Sequence, residues 1–472
     1  MSELVKSITK RQFDAYCYAR APFIRYGWEE IYYYESFNRK LLSSVVLNLT
    51  DMDFGFVILG RDKRKMFRAI EVSQEFYKSR QVAASELEKA IIKYEYDGLL
   101  IYEQGDEQKP TYEILSPKAA VEKLHVYFKA LISEERFEAA RNLINEIVHT
   151  YVDLDGNYIK SFQTTGFDAR LWELYLYVFL HSSGFKIDTK YQAPDYCVSY
   201  FDMELTIEAV TVNSNPEFDE KKGPESLKET HELSLDYMPI KFGSSLYSKL
   251  KKKYWEQDHV KNRPFIIAIH DYHLPAAGGI PGSMTWSRSA LIDYLYGYRM
   301  KVTVTEDGKL TQHVIDTGTG IKPVLEKIDT HIWKGKTIPS GFFSLPDSEN
   351  VSAVLFSNNA TITTFNRMGK LAGLGSANYK MMRTAQMYDP NPYSGTPIIK
   401  LLDVDDPGYE EGWADGLTMY HNPDAKHPVD PNSFPDISHM FFDKGKNELY
   451  GHFQPYAVMA SVTLVSKVLN KL

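Results

Sequence analysis

The stretch from Thr165 to Asn213 constrains this chain more than any other. It opens with TTGFDARLWELYLYVFLHSSGF, an apolar run of helical length. Asp168 stands where a helix is capped and Gly184 sits just past the run's end. Glu173 is the one acid inside the helix, set among Leu171, Trp172, Leu174, Tyr175 and Leu176. Two runs of strand character follow, Tyr196–Phe201 and Leu205–Val212, joined by the polar turn Asp202–Met203. Pro194-Asp195 stands at the mouth of the first run, and Glu208 lies inside the second. A hairpin of these runs brings Asp195 beside Glu208, and the helix before it can aim Glu173 at the same point.

Three carboxylates converging at one place repel each other unless protons or a cation intervene. Hard oxygen ligands suit Mg²⁺ or Mn²⁺, which can activate a water and steady the charge of a phosphodiester under attack. The order of helix Glu173, Pro194-Asp195 and strand Glu208 resembles the PD-(D/E)xK, or restriction-endonuclease-like, nuclease superfamily. That resemblance implies an αβββαβ core, with Glu173 as the helix acid and Asp195 and Glu208 as the metal-binding pair. The superfamily places a Lys two residues after the strand Glu. Here that residue is Val210, and Lys241 and Lys249 on the next helical segment are the candidates for a relocated amine. A wider likeness is to a bacterial group named for glycosaminoglycan attachment, a name that no residue pattern here supports. The plainer reading of the same residues is structural. Arg170, Glu173, Tyr177 and His181 share one helical stripe, and an acid after Pro is an ordinary strand-entry residue.

Charge is placed unevenly around this stretch. The formal net charge of −8 over 472 residues does not mark a nucleic-acid binder. Yet residues 241–263 hold seven Lys or Arg against two acids, whereas residues 400–450 hold 11 acids against four Lys. A basic helix beside a carboxylate site is what a phosphodiester substrate needs, although a solvated face is the commoner meaning of a lysine run. Cys17 and Cys197 are the only cysteines, too few for a disulfide framework or a zinc site. The segment MSELVKSITKRQFD lacks the apolar core of a signal peptide, and no run approaches the ~20 apolar residues that span a bilayer. A cytoplasmic protein without a membrane segment is expected.

The fold class expected is α/β (α+β): a restriction-endonuclease-like mixed sheet flanked by helices, preceded by a strand-rich N-terminal domain. Residues 1–115 read as that domain, with strand runs at 24–37, 42–50, 53–62 and 67–73. Ser85 and Glu88 form a capping box for a helix ending before Gly98, and 99–104 with 111–116 read as a further hairpin. Residues 116–160 read as a helical connector and 161–472 as the nuclease-like core with a C-terminal extension. Within the core, 213–238 reads as a polar loop and Phe242 to Trp255 as the basic helix. Residues 264–273 read as a buried strand ending in His270, Asp271 and His273, a cluster able to touch a metal but more often structural. A flexible loop at 274–285, a hairpin tipped by Asp307-Gly308 and a strand pair turning at Asn358-Asn359 complete the expected elements. Asp153 to Asn157 reads as a turn and not a calcium loop. Asp403, Asp405 and Asp406 read as exposed turn residues, though three acids so placed could hold a cation.

The sequence carries no Walker loop, dinucleotide fingerprint, serine-nucleophile elbow or internal repeat. The expected function is a Mg²⁺- or Mn²⁺-dependent nuclease-like protein acting on DNA, with RNA as a further substrate class and restriction or antiviral defence as the setting the resemblance implies. Two alternatives stay open. One is a nuclease fold without catalysis that binds or senses nucleic acid, and the other is a protein–protein scaffold. A homo-oligomer or a protein partner is compatible with each.

Overall fold

The computed structural model describes residues 5–21, 27–107, 112–154, 156–213, 226–273, 287–305 and 310–468. The 274–285 loop, the Asp307-Gly308 tip and residues 214–225 of the expected polar loop lie outside them. The chain divides into two compact units. Unit 1 comprises Met1–Phe167, Tyr177–Lys186 and Phe365–Ala377; unit 2 comprises Asp168–Leu176, Ile187–Thr364 and Asn378–Leu472.

Unit 1 begins with an antiparallel meander in sequential order: β1 (Val5–Ile8), β2 (Trp28–Ser36), β3 (Leu41–Asn48), β4 (Phe54–Arg61) and β5 (Phe67–Val72). A short helix α1 (Lys10–Asp14) follows β1 and is closed by a capping box between Thr9 and Gln12. Helix α2 (Arg80–Glu95) lays Ala83, Leu87 and Ile91, one helical turn apart, on Val45, Phe56 and Ile58 of the sheet. This helix starts at Ser79, not at the Ser85 box, because Ala83 already belongs to its buried stripe. The expected hairpin after Gly98 does not form from 99–104. Tyr102 instead turns inward, its ring filling the space over Gly60, where a Cβ would stand 2.4 Å from the ring. Helices α3 (Val126–Ser133), α4 (Glu138–Thr150) and α5 (Tyr158–Gln163) complete the run to Phe167. A bidentate pair at 2.9 and 3.0 Å ties Arg61 of β4 to Glu146 of α4.

Helix α6 (Phe167–Ser182) starts from Gly166. Asp168 makes no capping bond, and burial pushes its carboxyl up to about 6. Unit 2 carries an eight-stranded mixed sheet. Its first four strands are β6 (Lys186–Asp188), β7 (Tyr196–Tyr200), β8 (Met203–Val212) and β9 (Phe265–Asp271), which are neighbours in that order. Beyond β9 come Ala353–Ser357, Thr418–His421, Ser438–Asp443 and Glu448–His452. Strands β7 and β8 form an antiparallel hairpin, whereas β8, β9 and Ala353–Ser357 run parallel. The return from β8 to β9 passes through helices α7 (Leu227–Leu235) and α8 (Tyr237–Leu250). Thus part of the expected 213–238 loop is helical, and the basic helix begins at Tyr237, with Pro239 tolerated in its first turn.

The faces of β9 follow the two-residue period of a strand. Phe265, Ile267 and Ile269 join the core made with Phe242, Leu246 and Leu250 of α8 and with Ala290, Leu291 and Tyr294 of α9 (Ser287–Tyr296). Ala268 and His270 face the other way, where the Trp172 indole donates to the Ala268 carbonyl at 3.0 Å. The expected turn at Asn358-Asn359 leads into helix α10 (Ile362–Leu371), not a second strand. The Asn359 N–H donates to the Ser357 hydroxyl and its carbonyl accepts the Thr364 hydroxyl, local side-chain bonds that compete with a strand ladder. A separate sheet joins Tyr379–Met387, Ile398–Asp403 and Val458–Lys467. No helix among the described residues is long and apolar enough to cross a membrane.

Candidate active site

Asp195 enters β7 and Glu208 lies in the middle of β8, opposite it across the hairpin. The Ala209 N–H donates to Asp195 Oδ2 at 2.7 Å, and the Asp195 N–H donates to Glu208 Oε2 at 3.3 Å. Each acid is therefore held by the other's strand. Glu208 pairs in register with Ile267, so its side chain projects on the sheet face that α8 covers. There Lys249, in the last turn of α8, donates to Glu208 Oε1 at 2.6 Å. Tyr254, just beyond the helix, donates its hydroxyl to the same oxygen at 2.6 Å. The Glu208 side chain is 5% exposed and that of Lys249 18%. Ile240, Phe242, Leu246 and Leu250 bury the helix beneath, which fixes where the Lys249 stem emerges.

The electrostatics follow from that geometry. Lys249 pairs with Glu208, and its charge also acts on Asp195, as the smallest of five influences there. Burial first, then the Glu208 and Glu173 charges, raise the Asp195 carboxyl well above the usual carboxylate range. Burial and the Glu208 carboxylate likewise push the Tyr254 phenol up, so it stays a donor. A site with two acids and one Lys takes up either a proton or a cation. Asp195 and Glu208 are hard oxygen donors, and Mg²⁺ is ordinarily held by one or two carboxylates together with waters and substrate phosphates. The donor set fits such an ion.

Glu173 stands differently. It lies on α6, and its backbone carbonyl accepts the Tyr196 hydroxyl at 2.6 Å on the side of the sheet away from Lys249. Its carboxylate takes Arg170 at 2.8 Å. Its charge reaches Asp195, but among the described residues no three His, Cys, Asp or Glu side chains group closely enough to hold a metal. Lys241 lies two turns before Lys249, its amine 5.9 Å from the Tyr237 ring. Val210, where the superfamily's Lys is expected, packs against the apolar core. Tyr254 gave no sequence signal, since a tyrosine after a lysine run has many other meanings.

The His cluster at the end of β9 is built into the interior. His270 Nε2 accepts the Ala360 N–H at 2.9 Å, and burial pushes its imidazole down to about 3. His273 bridges Asp271 at 2.6 Å and the Tyr237 hydroxyl at 3.2 Å. Asp403 pairs with Lys380 at 2.7 Å. Comparison with known proteins adds no relative: the chain matches no protein-family model, no curated protein and no solved structure.

Proposed function

We propose that this chain is a metal-dependent phosphodiesterase of restriction-endonuclease-like fold that cleaves nucleic acid, with Asp195, Glu208 and Lys249 as its catalytic residues. The observation that carries the proposal is the meeting of these three side chains, drawn from a strand entry, a strand interior and a helix end. The succession α6, β6, β7, β8, α7, α8, β9, with β7–β8 antiparallel and β8–β9 parallel, supports the αβββαβ reading.

Asp195 and Glu208 would hold a divalent cation, which supplies an activated water and charge neutralisation when bound. Lys249 presents an ammonium where phosphate charge develops, the role left empty by Val210. Tyr254 fixes the Glu208 carboxylate so that one oxygen stays directed to the hairpin. Glu173 acts from a distance, by raising the proton affinity of Asp195.

The test is cleavage of duplex and single-stranded DNA and RNA by the purified chain with Mg²⁺ or Mn²⁺. Loss of cleavage by about 10²-fold or more in Asp195→Ala and Glu208→Ala is expected. Undiminished cleavage in both variants would refute the site. A second reading, a nucleic-acid-binding protein without catalysis, is favoured by the double occupation of Glu208 Oε1 and by the Arg170 clasp on Glu173. Salt-sensitive binding with no metal-dependent turnover would select it.

A further inference from the structure

Leu250 and Lys251, which follow Lys249 directly, line a cavity of about 550 Å³ between α8 and residues 336–347. Tyr247, Lys253 and Lys336 also line it. A lysine run usually marks a solvated face. Here two of the amines are tied to the cavity wall. Lys336 donates to the Ser244 hydroxyl at 2.7 Å and Lys253 pairs with Asp347 at 3.1 Å. The Lys251 amine lies 5.1 Å from the centre of the Tyr247 ring. Three lysines thus face one acid around a concave space, and Tyr247 is 48% exposed beside them. The basic surface continues to the acid site: the Lys252 amine lies 5.6 Å from the ring of Tyr254, whose hydroxyl holds Glu208.

A positive groove with an accessible aromatic face is the arrangement that binds unpaired nucleotides, through backbone charge and base stacking. Its volume is in the ~300–1,000 Å³ class of small-ligand pockets. A nucleotide fits such a space only when its base is free of a duplex stack. We propose that this groove holds a single-stranded segment of the nucleic-acid substrate, one base on Tyr247 and the flanking phosphates on Lys251, Lys253 and Lys336. The proposal rests on the nucleic-acid reading of the acid site and adds the strand class it takes.

The experiment is fluorescence anisotropy with the full chain in EDTA, using a labelled oligothymidylate of ~15 nucleotides and a duplex of equal length. Tighter binding of the single strand is expected. The triple variant Lys251→Ala, Lys253→Ala, Lys336→Ala should weaken it at least about tenfold and lower the slope of log affinity against log salt by about two. Tyr247→Ala should weaken it about tenfold, and Tyr247→Phe should retain it. All four side chains are at the surface, and circular dichroism checks that the variants fold. Absent single-strand binding, variants within about twofold of wild type, a Tyr247→Ala without effect, or a duplex bound more tightly would each overturn the groove. Cleavage assays separate the two readings. Groove-dependent binding without any metal-dependent cleavage refutes the catalytic site alone. Cleavage lost in Asp195→Ala, with binding indifferent to the groove variants, refutes the groove alone.

Discussion

At Asp195 a single oxygen pair links chemistry to stability. Its proton affinity is raised in the folded chain, by burial and then by Glu208 and Glu173. Below the ordinary carboxylate range the group is protonated in folded and unfolded chains alike. As pH rises past that range the unfolded chain ionises first, so stability falls until Asp195 itself ionises. Asp195→Asn should therefore raise the melting temperature at neutral pH and flatten its decline, measured by calorimetry from acid to neutral pH. In the wild type, millimolar Mg²⁺ should raise the melting temperature and EDTA reverse it, whereas Asp195→Asn should show no such shift. An equal Mg²⁺ response in both proteins would remove Asp195 from the ion. At Lys249, Lys249→Met strands a carboxylate that is 5% exposed and should cost about 3–5 kcal/mol. Lys249→Met with Glu208→Gln should recover most of it, and additive losses in denaturant titrations would show that the pair is not coupled.

The helix α8 joins two tasks that its sequence keeps apart. Phe242, Leu246 and Leu250 anchor it to the sheet, and Lys249 leaves its last turn toward Glu208. Leu246→Ala should cost about 2–5 kcal/mol and also lower the cleavage proposed for this chain, because a loosened anchor moves the ammonium. Full activity in a destabilised Leu246→Ala protein would separate the two tasks. A helix was legible here from the Leu246–Leu250 spacing. Its start at Tyr237 was not, because Pro239 reads as a boundary until its place in the first turn is known. The same holds at Asn359, where side-chain bonds with Ser357 and Thr364 precede α10 in place of the second strand expected.

Across the whole chain, contiguity in sequence and contiguity in space part company in unit 1. Its helices bind a segment more than two hundred residues away: Ala140 N–H donates to Asn366 Oδ1 at 3.1 Å, and Asn142 donates to the Leu374 carbonyl at 2.8 Å. A Cβ at Gly369 would stand 2.3 Å from the Ala139 carbonyl oxygen, so this approach needs glycine. Gly369→Ala should destabilise by about 1–3 kcal/mol, read by chemical denaturation. A fragment ending at Phe167 lacks this segment and should show no cooperative transition in chemical denaturation. Retained cooperativity would make the distant segment dispensable.

The sequence by itself determined the local alphabet: the apolar helix before β7, the hairpin of β7 and β8, the buried β9, and the two acids at the hairpin. Those follow from periodicity and from the residues that open and close strands. Tertiary structure decided which charges meet. Strand alternation turned Glu208 to the sheet face that α8 covers, helix packing brought Lys249 and Tyr254 to it, and burial raised the proton affinity of Asp195. Charge pairing depends on distance and dielectric, and neither is written along a chain until it has folded.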